Sequence, residues 1–118
     1  MTRLFLRLFF DGAMLGPGKV ELLERIRARG SIAAAGREMG MSYRRAWSLV
    51  EEMNAAFAEP LVTSTRGGPG GGGAEVTPAG ETVITRYHAL HAAATAAGAA
   101  DLAALQAMLR EPGDMSRE

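Results

Sequence analysis

Only three residues, Gly40-Met41-Ser42, separate two segments that each carry the start and stop marks of a helix. A link that short makes the two helices cross steeply, in the proportions of a helix-turn-helix. Upstream, Ser31 is placed as the N-cap of "IAAAGREM", and Gly40 supplies the residue tolerant of positive φ where the turn needs one. Downstream, Ser42 caps "YRRAWSLVEEMNAAF", in which Ala46, Trp47, Val50, Met53 and Phe57 read as one apolar side. That reading puts Trp47 in the core. Ala34 and Ala35 are small enough to let the helices approach closely, and Pro60 bars the second helix from continuing past Glu59.

The segment after the second helix narrows the fold further. "LVTST" is a strand rich in β-branched residues and "AEVT" its returning partner, while six of the fifteen glycines fall between them within residues 67–73. A hairpin directly after the second helix makes the unit a winged helix-turn-helix. The glycine run has two other readings. One is a phosphate-cradling loop, which lacks the Gly-Lys-Ser/Thr such loops require; the other is a plain disordered connector.

The flanks complete the outline. Residues 3–10 alternate, with Leu4, Leu6, Leu8 and Phe10 on one face of a strand and Arg3, Phe5, Arg7 and Phe9 on the other. "DGAMLGPG" reads as a turn, and Pro17 opens a helix whose stripe Val20, Leu22, Leu23 and Ile26 runs down to Gly30. Past the hairpin, Thr77-Pro78 starts another helix, with Val83, Tyr87, Leu90, Ala94 and Ala97 repeating at steps of four and three. After Gly98 the phase shifts to Leu102, Leu105 and Leu109, which gives one long helix or two meeting near Gly98. This stripe either packs back on its own domain or pairs with a second chain, and pairing is preferred because two half-sites add their contacts. The expected fold class is mainly α with a small β hairpin. A winged helix-turn-helix domain is expected over residues 1–77, a long C-terminal helical dimerisation region over 78–111 and a flexible tail over 112–118.

Charge is informative in its distribution rather than its sum, since 13 Lys and Arg balance 13 Asp and Glu. Arg25, Arg27, Arg29, Arg37, Arg44 and Arg45 cluster between residues 25 and 48, opposed only by Glu38. Acids gather at Glu51, Glu52, Glu59, Glu75, Glu81 and in the tail. The absence of cysteine excludes disulfides and thiolate metal sites. "MTRLFLRLFF" is broken by Arg3 and Arg7 and too short to span a bilayer, so no membrane association and a cytoplasmic location are expected.

In winged-helix geometry the second helix of the pair enters the major groove by its N-terminal end. The expected contact set is Ser42, Tyr43, Arg44, Arg45 and Ser48 on double-stranded DNA. Arg44 and Arg45 suit either bidentate pairing with guanine or clamping of phosphates, and spacing leaves both open. Ser31, at a helix N-terminus, offers its hydroxyl and backbone N–H groups to a phosphate oxygen. Arg66, Gly67 and Gly68 begin the wing tip, where small residues allow close main-chain approach to a backbone or minor groove. His88 and His91, spaced i and i+3, lack a nearby third ligand and read as exposed helix residues. Neither they nor Ser42 and Ser48 form a nucleophile–base order, so no enzymatic activity and no cofactor are expected.

These residues also carry a resemblance. "GSIAAAGREMGMSYRRAWSLVEEMN" followed by "PLVTSTRGGPGGGGAEVTPAGE" resembles the DNA-binding domain of ModE-type molybdate-responsive regulators, relatives of LysR-type winged-helix domains. The likeness covers roughly residues 17 to 90. It implies a dimeric transcription factor acting near molybdenum-related genes, with Ser42, Tyr43, Arg44, Arg45 and Ser48 on its recognition helix and Arg66 with Gly67 to Gly73 in its wing. Pro69 stands where the family often has a basic residue. Full-length members bind molybdate in C-terminal β-barrel domains for which this sequence has no room, so molybdate binding by this chain is not expected. Two rival functions stay open at this point: a winged-helix interaction module that pairs with another regulator, and a small oxyanion-binding protein.

Overall fold

Four of the five helices among the described residues begin at a side-chain cap or a proline. The computed structural model describes residues 2–65 and 73–110. Its elements in chain order are β1 (Leu8–Phe10), β2 (Ala13–Leu15), α1 (Pro17–Arg29), α2 (Ile32–Glu38), α3 (Tyr43–Ala56), β3 (Val62–Thr65), β4 (Gly73–Val76), α4 (Pro78–Ala97) and α5 (Ala99–Ala107). Pro17 and Pro78 open their helices at positions whose N–H has no intrahelical partner. Ser31, Ser42 and Thr77 cap α2, α3 and α4 by accepting from Ala34, Arg45 and Gly80 N–H groups. Gly30 ends α1 in the left-handed region, at φ 68°.

The amino-terminal segment departs from the strand expected over residues 3–10. Only Leu8–Phe10 pair, antiparallel to Ala13–Leu15, because Gly16 and Pro17 end the partner strand by starting α1. Gly12 takes φ +79°, which lets Asp11-Gly12 reverse the chain, so three of the eight residues expected as a turn form strand β2. The alternation holds up to Phe9, with Leu4, Leu6 and Leu8 half-buried and Arg3, Phe5, Arg7 and Phe9 exposed, but Phe10, expected on the inner face, is exposed too. In place of strand partners, side chains of α4 hold the first residues. Tyr87 donates its hydroxyl to the Leu6 carbonyl at 2.5 Å, and His91 Nε2 lies 2.6 Å from the Leu4 carbonyl. Burial pushes the Tyr87 phenol above its ordinary pKa.

One core joins these elements. Val20, Leu22, Leu23 and Ile26 of α1 meet Ala46, Leu49, Val50 and Met53 of α3, Leu61 and Val62 at β3, and Ile84 and Tyr87 of α4. Gly80 lets α4 start against the hairpin: a Cβ there would lie 2.4 Å from the Leu61 carbonyl oxygen. Of the stripe expected along this helix, Tyr87 is buried and Val83 packs at the core edge, while Leu90 is exposed. The helix breaks at Gly98, and α5 buries none of its residues.

Candidate nucleic-acid interface

The helix-turn-helix closes on a glycine that spacing alone did not single out. A Cβ on Gly36 would sit 2.7 Å from the Ala46 Cβ and 3.3 Å from Met41 Cγ, so α2 and α3 cross with no room for a side chain there. Ala35 and Ala46 are fully buried at the same crossing, whereas Ala34 is half-buried. Gly40 turns the chain at φ +74°, and Met41 N–H donates to the Gly36 carbonyl at 2.9 Å.

Charge pairing then sorts the arginine cluster. Arg25 pairs with both Glu21 and Glu38, Arg29 pairs with Glu38, and Arg27 pairs with Glu81 at 2.7 Å. Partial desolvation pushes the Glu38 carboxyl upward, but the hydrogen bonds from Arg25 and Arg29 outweigh it and hold the group below its ordinary range. The Arg25 guanidinium is raised by its bonds to Glu21 and Glu38. These contacts clamp α2 against α1. Among the described residues, Arg37, Arg44 and Arg45 have no carboxylate partner.

The wing is fixed at its root from three sides. The Asn54 amide on α3 bonds the backbone of Leu61 and Val62 at the start of β3. Ala74 N–H of β4 donates to the Gly30 carbonyl at 3.0 Å, and a Cβ on Gly73 would lie 2.8 Å from that same oxygen. Thr77 donates its hydroxyl to the Pro60 carbonyl at 2.7 Å and its N–H to the Leu61 carbonyl at 2.9 Å. The strands run antiparallel from Val62↔Val76 to Thr65↔Gly73.

This frame brings four of the nine expected site residues into two adjoining grooves. Ser31 and Tyr43 line a groove of about 290 Å³ with Trp47 and with Ser64, Thr65 and Gly73 of the hairpin. Arg44, Ser48 and Glu51 join Tyr43 and Trp47 around an adjoining groove of about 440 Å³. Ser42 and Arg45 lie outside both linings. The Arg45 backbone N–H donates to Ser42 Oγ at 3.1 Å, and both residues are exposed. Ser31 Oγ likewise accepts from Ala34 N–H at 3.0 Å. Each serine keeps its own O–H proton to donate outward. Arg66, Gly67 and Gly68 lie outside the described residues.

Trp47 overturns the expectation that it is core. It is 43% exposed, and Leu49 takes the place assigned to it. The buried set is Ala46, Leu49, Val50 and Met53, which has the i, i+3, i+4, i+7 spacing of one helical face. Trp47 lies one position off that set, on its flank. The periodic reading puts Trp47 on the apolar side and leaves Leu49 out of it; packing does the reverse. His88 and His91 are also engaged: His88 Nε2 lies 2.8 Å from Glu24, and His91 reaches the Leu4 carbonyl. Among the described residues no group of three or more His, Cys, Asp or Glu is placed to hold a metal, and no helix is long and apolar enough to cross a membrane.

Two helices crossing at a glycine, a second helix that is exposed and basic at its first turn, and a hairpin anchored to its end define a winged helix-turn-helix. Residues 18–81 match the bacterial regulatory helix-turn-helix protein family of lysR type, and the chain belongs to that family. Among curated relatives, the molybdenum-pterin-binding protein MopB of Rhodobacter capsulatus is 51% identical over 81 residues, 69% of this chain and 30% of the relative. The molybdenum transport protein ModE of Azotobacter vinelandii is 37% identical over 92 residues, 75% of this chain and 34% of the relative. The DNA-binding transcriptional dual regulator ModE of Escherichia coli K12 is 39% identical over 74 residues, 63% of this chain and 28% of the relative. The matched part thus spans about a third of these relatives' length, and it carries the ModE-like resemblance read from the sequence. The family match runs from α1 through the β3–β4 hairpin into the first turn of α4, so it covers the helix-turn-helix and the hairpin that follows it.

Proposed function

We propose that this chain binds a two-fold-related operator as a homodimer, one winged helix per half-site, and takes part in controlling molybdenum-related genes. The observation that carries the reading is the split of the arginine cluster. Arg25, Arg27 and Arg29 are neutralised by carboxylates, while Arg44 and Arg45 at the exposed N-terminal turn of α3 have no such partner among the described residues. Free guanidinium groups there suit phosphates and guanine edges. In this proposal α3 enters the major groove through Ser42, Tyr43, Arg44, Arg45 and Ser48. Ser31 meets a phosphate, and Arg66 with Gly67 and Gly68 lies along the backbone or minor groove.

Residues 1–77 then form the reading head and residues 78–111 the dimerisation region, with 112–118 a tail. The exposed apolar side chains Leu90, Leu105, Met108 and Leu109 support pairing with a second copy through α4 and α5. The molybdenum connection rests on the names of the relatives. Fluorescence anisotropy on DNA upstream of the chain's own gene, against a scrambled duplex, tests the reading. Binding that prefers the first duplex and weakens with salt supports it; equal, weak binding to both, from a monomer by light scattering, refutes it.

A further inference from the structure

We infer that Trp47 reads thymine: its indole is the apolar contact by which α3 senses 5-methyl groups in the major groove. The inference rests on the proposed binding of DNA by α3 and adds to it a specificity residue and the chemical group it detects.

The core is complete without Trp47, because Ala46, Leu49, Val50 and Met53 already fill the buried face of α3. The indole lies instead one turn beyond Tyr43, and both rings border the two grooves that flank the exposed face of the helix. Hydroxyls of Ser31, Ser64 and Thr65 line one groove, and Arg44, Ser48 and Glu51 line the other. The surroundings are thus polar and charged around an apolar centre. With Arg44 and Arg45 at the first turn of α3 lacking carboxylate partners among the described residues, and Glu51 the one carboxylate in the two linings, the occupant that complements this face is a polyanion. Double-stranded DNA supplies the charge and also an apolar counterpart. The thymine methyl is the one apolar group on the major-groove edges of the base pairs. An indole has a single N–H donor and no acceptor, so its ring matches that methyl better than it matches any hydrogen-bonding edge.

Trp47 is the only tryptophan of the chain, so emission reports on it alone. Full-length protein is first used to enrich duplexes from a random-sequence library. The enriched duplex is then remade with single thymines replaced by deoxyuridine, which lacks only the methyl group. The expected result is a change in Trp47 emission on binding, with affinity falling about three- to fivefold at one or two thymines per half-site. Those thymines lose their effect in Trp47→Ala and keep part of it in Trp47→Phe. A deoxyuridine pattern that is the same in Trp47→Ala as in the unaltered protein overturns the inference, whatever the affinity of the variant. A library that yields no enriched duplex overturns the proposed binding of DNA, and this inference with it.

Discussion

Asn54, two residues before the end of α3, holds both backbone polar groups of Val62: its Oδ1 accepts from the Val62 N–H at 3.2 Å and its Nδ2 donates to the Val62 carbonyl at 2.9 Å. The same Oδ1 accepts from Leu61 N–H at 2.8 Å. One side chain therefore sets where the wing leaves the recognition helix. Asn54→Ala removes all three bonds and leaves buried backbone groups unpaired, which costs about 1–3 kcal/mol. Urea unfolding measures this directly. DNA affinity falls as well, at denaturant-free conditions where the variant is still folded, because the wing loses its fixed angle.

The crossing of α2 and α3 predicts opposite effects at two glycines. Gly36→Ala drives a Cβ to within 2.7 Å of Ala46 and is expected to destabilise the fold by about 1–3 kcal/mol. Gly18→Ala, near the start of α1, meets nothing within 4 Å and is expected to stabilise by about 0.5–1 kcal/mol. Thermal melts of the two variants, run side by side, separate a packing requirement from a conformational one.

Acid should loosen the α1–α2 clamp. The pKa of Glu38 is depressed by Arg25 and Arg29, so its stabilisation is present above the ordinary carboxylate pKa and is lost as pH falls through the lower folded value. Glu38→Gln is therefore less stable than the unaltered chain at neutral pH, and the gap in Tm closes below about pH 4. A gap that is constant from neutral to acid pH contradicts the clamp.

Arginines that look alike in the sequence should behave differently. Arg44→Ala or Arg45→Ala is expected to weaken DNA binding by about 1–3 kcal/mol if the residue reads a base, and to lower the salt slope by about 1 if it contacts a phosphate. Folding stability changes little in either variant, since neither residue has a carboxylate partner among those described. Arg29→Ala acts the other way round, through the Glu38 clamp and stability. Anisotropy over a salt series combined with melting curves distinguishes the two classes.

The carboxy-terminal helices give a test of assembly. Leu105 and Leu109 are 61% and 65% exposed on a chain whose α5 buries none of its own residues. Replacing both by Ser is expected to convert a dimer to a monomer by light scattering at micromolar concentration, while Tm of the winged helix stays near that of the parent. A parent chain that is already monomeric removes the dimer from the proposal.

Local chemistry determined where the helices start and where the chain turns between them. Ser31, Ser42 and Thr77 had to cap, Pro17 and Pro78 had to start helices, and Gly30 and Gly40 had to turn, because those roles depend on each residue's own backbone and side chain. The order of those marks was enough to give a winged helix-turn-helix and to place Tyr43, Arg44 and Ser48 on its exposed helix. Tertiary structure decided the rest, because those choices depend on neighbours distant in the chain. Which arginines stay free was set by Glu38 and Glu81 reaching back to α1, across separations the sequence does not display. Gly36 and Gly80 became indispensable only once Ala46 and Leu61 lay against them. Residues 3–7 kept the alternation of a strand yet found side chains of α4 in place of a partner strand. Trp47 carries the same lesson at the site: periodicity names a face, but only the packing of Leu49 against the core showed which large apolar residue that face leaves in the open.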